Sequence, residues 1–323
     1  MDTNRPEWMN SSDLPPVFRD QILGTTAHVT KRYFFSAKGE LNPARVKLAS
    51  PFVIAIIGSG KGKIGVEIAL SYAQAGASGI LLSSSRTQHD LEDIAHQIKS
   101  TNPNCHVEYQ ICDVRREDDL IRLASHCKES FGRLDVAVLN QGFLPGFIEN
   151  PDGSLRFPNA LFEEKAEDYT TSWDVNYHGT FLAIKALIPL IKASIGGPQS
   201  IIMISSIAAL YSSAPHCPAS YNMSKLALAR LAEYVHEEYK SYGVNCFAVH
   251  PGCMQVSPDF PLPWQHFLLD DISLPGGFCV WLTKEKRTWL SGRFLISGWD
   301  VTELESKKES ILAEDKFKLR LVL

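Results

Sequence analysis

The sequence predicts an α/β fold: a single doubly wound parallel sheet of about seven strands flanked by helices. Three observations carry this. Short β-branched runs alternate with amphipathic stretches at βαβ spacing from residue 52 onward. A glycine-rich turn joins the first run to the helix after it. No stretch between the runs has the composition of a linker between two cores, and no internal repeat or low-complexity segment interrupts them.

Residues 1–50 stand apart: prolines at 6, 15, 16 and 43 and weak periodicity predict an irregular N-terminal arm that lies on the main body or frays. Residues 51–300 hold the alternation. Phe52 to Ile57 is a continuous β-branched run, as a buried parallel strand requires. Ile64, Ile68 and Tyr72 then fall on one helical face, and Gly76 closes that predicted helix. The prediction continues with strands at 80–82, 107–111 and 136–139 and helices at 91–98 and 120–131. It resumes with a helix at 176–192, a strand at 201–204, a long helix at 221–239, and strands at 245–249 and 295–296. Residues 301–323 interleave acids and bases and predict a short, solvated helical tail.

Composition narrows the function classes. The chain has 323 residues, with 32 Lys and Arg against 36 Asp and Glu, a formal charge of −4. With 45% apolar and 21% charged residues it is not a disordered or collagen-like chain, nor a basic nucleic-acid binder acting by bulk charge. The seven cysteines are odd in number and irregularly spaced, with no C-x-x-C pair. They predict no disulfide framework and no metal site, and place the chain in a reducing compartment, the cytoplasm. The start lacks an apolar signal-peptide core, and the run from Phe52 is too short to span a bilayer, so no membrane partner is expected.

The turn after the first strand reads Gly58-Ser59-Gly60-Lys61-Gly62-Lys63-Ile64-Gly65. At a strand–turn–helix junction a Cβ would keep backbone from approaching the phosphates of a dinucleotide, which sit on the helix N-terminus. Gly60, Gly62 and Gly65 match G-x-G-x-x-G; Gly58 and Gly62 begin the looser G-x-x-x-G-x-G, with one extra residue before Gly65. In this setting the turn reads as a Rossmann-type dinucleotide site; alone it would be only a tight turn. The second strand ends Ser83-Ser84-Ser85-Arg86-Thr87, with no carboxylate before Asp90. NAD calls for an acid there, whereas Arg86, helped by Lys61 or Lys63, suits a 2′-phosphate, so the expected cofactor is NADP(H).

Tyr221 and Lys225 share one face at the start of the long helix, and the strand before it ends in Ser205-Ser206. Together with the glycine turn, Asn140-Gln141-Gly142 after the fourth strand, and Asn176, they follow the motif order of the short-chain dehydrogenase/reductase family. The chain resembles that family from Phe52 to about Asp300. The stretch from Trp289 to Trp299 is similar to NADP-dependent reductases of filamentous fungi, many of them in natural-product pathways.

The resemblance implies roles. Tyr221 donates the proton to a substrate carbonyl, or takes it in the oxidative direction. Lys225 holds the nicotinamide ribose and lowers the tyrosine pKa, Ser206 hydrogen-bonds the substrate oxygen, and Asn176 holds a relay water. Gly58, Gly60, Lys61, Gly62, Lys63 and Ile64 form the phosphate turn, Asp113 and Val114 contact adenine, and Asn140, Gln141, Gly142, Pro251 and Gly252, with Tyr221 and Lys225, complete the cofactor pocket. The match departs from the family pattern at Leu139, Gln141, Val256 and Lys63, and the long spacing from Ser206 to Tyr221 leaves Ser205 and Ser212 as alternatives.

Two aromatic-rich segments are expected to shape the substrate site. One is an insertion between Gly142 and Asn176, which lie 34 positions apart, with Phe143, Phe147, Phe157 and Phe162. The other is a substrate loop from Cys253 to about Trp281, with Phe260, Leu262, Trp264, Phe267 and Phe278. Both suit a sizeable apolar substrate, and both also suit simple packing onto the sheet. His178, His216 and His250 are expected to be packed or hydrogen-bonded, since the catalytic set needs no histidine. Two function classes follow: an NADP(H)-dependent reductase or dehydrogenase of a ketone or secondary alcohol, or a non-redox protein on the same fold, such as a cyclase, isomerase or cofactor-sensing scaffold. The family also implies a homo-oligomer, dimer or tetramer, through the helices that begin near Asn176 and Tyr221.

Overall fold

The computed structural model describes residues 6–60, 63–158, 160–212, 217–256, 260, 265 and 267–321. Lys61, Gly62, His216, Leu262 and Trp264 lie outside the described residues, and of Lys63 only the backbone is described.

The arm is more regular than its prolines predict. β1 (Trp8–Asn10) pairs antiparallel with β2 (Arg32–Phe34), and a helical segment, Val17–Leu23, buries Phe18, Ile22 and Leu23. Each strand has only three residues, and the pairing spans the whole arm, so no local periodicity announces it.

Seven parallel strands follow: β3 (Val53–Ile57), β4 (Gly79–Ser84), β5 (His106–Ile111), β6 (Val136–Leu139), then, beyond a small hairpin of β7 (Ile148–Glu149) and β8 (Leu155–Arg156), β9 (Ser200–Ile204), β10 (Asn245–His250) and β11 (Arg293–Ile296). Their order is β11-β10-β9-β6-β3-β4-β5. The chain winds outward from β3 to β5, then crosses to β6 on the other side of β3. The crevice where the winding direction reverses is where open α/β sheets bind ligands. Every residue of β3, β6, β9 and β10 is buried, as expected for strands covered on both faces.

The covering helices are α1 (Lys63–Gln74), α2 (Gln88–Thr101), α3 (Glu117–Phe131), α4 (Ala166–Ser172), α5 (Gly179–Ala193), α6 (Ala219–Tyr239) and α7 (Leu274–Thr283). A π-helical turn, Trp173–His178, leads into α5, so the predicted helix start at Asn176 falls inside this wider turn. Helix α7 corrects the sequence reading, which extended the substrate loop to Trp281. Pro275, Gly276 and Gly277 read as loop residues, and an all-round buried helix shows no amphipathic period. The proline occupies the first helical turn, where no donor is needed. A Cβ on Gly277 would lie 2.3 Å from the Leu41 carbonyl oxygen, so the glycine permits the arm and α7 to touch. The tail forms two short helices, α8 (Val301–Ser306) and α9 (Lys308–Ala313). No helix among the described residues is long and apolar enough to cross a membrane, and all seven cysteines are free thiols.

Candidate active site

Two cavities meet at the C-terminal ends of the strands. One is a groove of about 360 Å³ over Gly58, Gly60, Ser84, Arg86, Asp113 and Gln141. The other is a cavity of about 310 Å³ that holds Ser206, Tyr221 and Lys225 and is walled mainly by apolar side chains. Asn140, Gly142 and Phe143 line both.

The groove is made largely of backbone. Gly58 has φ +85°, and a Cβ there would sit 2.5 Å from the Gln141 backbone nitrogen. The Asn140 amide donates to the Gly58 carbonyl at 2.7 Å, so the ends of β3 and β6 lock each other. Helix α1 starts at Lys63, directly after the turn, and its unsatisfied N–H groups favour an anion. Arg86 is exposed on the groove wall, beside Ser84 and Ser85, with no acid in the lining at the end of β4. Asp113 also lines the groove, but its carboxylate is held by Arg115 at 2.6 Å, and that hydrogen bond keeps it below the usual carboxylate range. Arg115 was missed from sequence; its signal was only a second cation beside Asp113. Gln141 donates to the Thr180 hydroxyl at 2.7 Å, while its carbonyl oxygen is buried without a protein partner. Two arginines, a backbone cradle and this orphaned acceptor fit a phosphate-bearing, hydrogen-bonding cofactor.

In the cavity, Tyr221 stands in the first turn of α6 and is hydrogen-bonded by Ser206. Ser205, the alternative, is buried and donates to the Lys225 carbonyl at 2.9 Å, and Ser212 is exposed and does not line the cavity. Lys225 is buried, with its ammonium 5.5 Å from the centre of the Tyr221 ring and donating to the Ile204 carbonyl at 2.8 Å. The surroundings of Tyr221 raise its pKa. Burial pushes the phenol up, against a smaller opposing pull from the Ser206 hydrogen bond. Burial also brings the Lys225 ammonium down to about 8.

Asn176 reaches the site, but its amide is taken up by protein. It accepts from the Phe143 N–H at 2.6 Å and donates to the Phe143 carbonyl and the Ser224 hydroxyl at 2.9 and 3.0 Å. It thereby fastens the junction between groove and cavity to α6. His250 accepts from the Ile207 N–H at 3.1 Å through Nδ1, and burial lowers it to about 3, so it is neutral and positions the turn after Ser206. His178 is exposed, not packed.

Two supports escaped sequence reading. Glu164 of the insertion accepts from the Ser220 N–H and hydroxyl at the start of α6, where a negative charge favours a helix N-terminus. Asp270 accepts from the Cys253 N–H at 2.5 Å and from the Tyr33 hydroxyl at 3.2 Å. Each joins elements far apart in the chain, so no local motif marks them.

The sequence model of the short chain dehydrogenase family matches residues 52–259. The chain belongs to the short-chain dehydrogenase family. This short-chain dehydrogenase is 34% identical over 291 residues to the short chain dehydrogenase pgmD of Aspergillus terreus, covering 88% of this chain and 90% of that one. It is 35% identical over 273 residues to the short chain dehydrogenase mpl6 of Monascus purpureus, covering 83% and 88%. Among solved structures, a short-chain type dehydrogenase/reductase from Mycobacterium marinum superposes with a TM-score of 0.67 at 20% identity, over 80% of this chain and 97% of that one. The NADH-dependent reductase A1-R′, solved in complex with NAD, superposes with a TM-score of 0.64 at 21% identity, over 79% and 97%. At these identities the structural likenesses speak to the shared fold.

Proposed function

We propose that this short-chain dehydrogenase is an NADP(H)-dependent oxidoreductase acting on a ketone or secondary alcohol of a sizeable apolar metabolite. The observation that carries the reading is the meeting of groove and cavity at Asn140, Gly142 and Phe143, with Ser206, Tyr221 and Lys225 on the cavity side of the junction. When bound, the nicotinamide supplies or accepts the hydride. Gly58, Gly60 and Ile64 hold its pyrophosphate side, and Arg86 the 2′-phosphate. Asp113 and Val114 flank the adenine, and Gln141, Pro251 and Gly252 border the nicotinamide side. Lys61, Gly62 and Lys63 join this set on sequence grounds.

The residues of the chain handle position and proton. Ser206 and the Tyr221 hydroxyl are hydrogen-bonded to each other, so a substrate oxygen between them is oriented and receives the phenolic proton in the reductive direction. Burial favours the protonated phenol, which suits a proton donor. Lys225 supplies positive charge below about pH 8. Asn176 keeps Phe143 and Ser224 in place and acts as a positioning residue.

The same reading takes residues 51–300 as the catalytic unit, with the arm of residues 1–50 and the tail of 301–323 packed on it. Free thiols support a cytoplasmic setting. The apolar face of α5 and α6, where Phe181 is 46% and Tyr234 68% exposed, supports a homo-oligomer formed by a second copy of the chain. Light scattering on the wild type and on Phe181→Glu tests it; an unchanged mass refutes it. The deciding experiment for the activity is a titration with NADPH and NADH, followed by ketone turnover by wild type and Tyr221→Phe. Equal affinity for the two nucleotides, or full turnover by the variant, overturns the reading.

A further inference from the structure

The arm reaches the cavity. Ile22, on the helical segment Val17–Leu23, lines it together with residues of β9, β10 and the segment after Gly252. It lies some 200 positions from Tyr221 in sequence, yet both border the same space. We propose that Ile22 is a specificity-determining wall of the substrate site, and that the N-terminal arm sets the size of uncharged, largely apolar ketone this enzyme accepts. This rests on the cavity being the substrate site of the proposed reductase.

Several contacts fix the position of Ile22. The Tyr211 hydroxyl, itself at the cavity wall, donates to the Ile22 carbonyl at 3.3 Å. One turn earlier, Phe18 packs edge-on against Tyr33 with ring centres 5.6 Å apart. On the other side, the Trp299 indole donates to the Thr26 carbonyl at 3.0 Å, and Arg32 pairs with Asp300 at 2.5 Å. A side chain buried to 1% exposure and held at both ends of its segment cannot swing aside for a larger substrate.

The arm also supports a further part of the wall. Tyr33 donates to Asp270, and the Asp271 N–H donates to the Phe35 carbonyl at 2.7 Å. Asp270 is tied in turn to Cys253 through both backbone and side chain, so the two ends of the segment that carries Met254, Val256 and Leu268 into the cavity are joined and rest on the arm. The chemistry of the occupant follows from the lining. Among the described residues it contains no carboxylate, its only cation is Lys225, and its histidine is neutral. A cationic substrate would lose its hydration with no opposite charge to replace it, and an anionic one would meet only Lys225, whose ammonium already donates to the Ile204 carbonyl, whereas an apolar ketone needs only Ser206 and Tyr221 for its oxygen.

The test compares full-length wild type, Ile22→Ala and Ile22→Phe, using NADPH with cyclohexanone as the compact ketone and 1-tetralone as the bulky one. Ile22→Ala should raise the kcat/KM ratio of 1-tetralone to cyclohexanone about tenfold, and Ile22→Phe should lower it by a similar factor. NADPH affinity should stay within about twofold, because Ile22 does not border the groove. If Ile22→Ala fails to fold, Ile22→Val, one methylene smaller, should move the ratio about fourfold in the same direction. Binding of 1-tetralone to the NADPH complex, followed by fluorescence, is measured alongside turnover. Turnover ratios and ketone affinities that stay within about twofold in every folded variant overturn the proposal, as does a wild type that binds neither ketone. Ketone binding that shifts as expected in a protein that reduces nothing leaves the wall standing and refutes the reductase reading instead.

Discussion

The groove and the cavity share Asn140, Gly142 and Phe143, yet they are built in opposite ways. The groove comes from turns that directly follow β3, β4, β5 and β6, and much of it is backbone: the Gly58 cradle and the carbonyl to which Asn140 donates. The cavity draws on the arm, the insertion, the segment after Gly252 and α6, and its lining is mostly side chain. Phe147 and Phe157 of the insertion pack together at 4.6 Å, and Phe147 meets Phe260 of the substrate loop at 5.9 Å. A backbone site tolerates few residue types at each position, so it leaves a pattern. A side-chain wall accepts many, so it can change the substrate while the cofactor end stays the same.

This contrast can be broken most sharply at the junction. Tyr221→Phe should reduce kcat by about a thousandfold, the middle of the range for losing a positioned proton donor, while NADPH affinity stays unchanged in fluorescence titration. If affinity falls instead, the tyrosine belongs to the groove and the division fails. Arg86→Ala should weaken NADPH by about thirtyfold, within the range for a charge-assisted contact, and leave NADH nearly unaffected. Equal losses with both nucleotides would mean that Arg86 does not read the 2′-phosphate.

A third outcome concerns pH. Lys225, brought down to about 8 by burial, is charged below that pH and neutral above it. The phenol lies higher, so it stays protonated across the same window. In the reductive direction kcat/KM should therefore fall as pH rises through about 8, by about tenfold per unit beyond the midpoint. Lys225→Arg should remove that limb from the profile, since a guanidinium keeps its charge. The smallest effect is expected at the arm. Tyr33→Phe removes the hydroxyl bonded to Asp270 and should cost about 1 kcal/mol in urea unfolding. It should also raise KM for the ketone severalfold and spare NADPH affinity; a change in NADPH affinity alone would place the arm's influence on the wrong side of the junction.

The same contrast explains what could be read in the sequence. The doubly wound order, the glycine turn and the Tyr221–Lys225 pair are local patterns whose spacing is imposed by strand–turn–helix geometry. Ser205 and Ser206 could both be read at the end of their strand, and the hydrogen bond from Ser205 to the Lys225 carbonyl appears only in the fold. Asn176 was legible as a position, whereas its hydrogen bonds to Phe143 and Ser224 depend on residues brought together by the fold. Helix α7 was hidden by Pro275 and two glycines that serve close packing. Ile22, Glu164 and Asp270 left no trace because each acts across a long sequence distance. The direction of the Tyr221 shift also depends on burial, which only the assembled fold defines.

The joint between Cys253 and Asp270 has a consequence for how such a chain changes over time. Sixteen residues separate the two, and their ends are pinned by two hydrogen bonds. Closing a longer loop on a fixed base costs little, about 0.6 kcal/mol for each doubling of its length. Insertions or wholesale exchange between these anchors would be absorbed there, while Pro251 and Gly252, just before the first anchor, keep their register with β10. The joint thus works like a hinge pin in a replaceable door: graft in a new panel, and the frame does not have to be refitted.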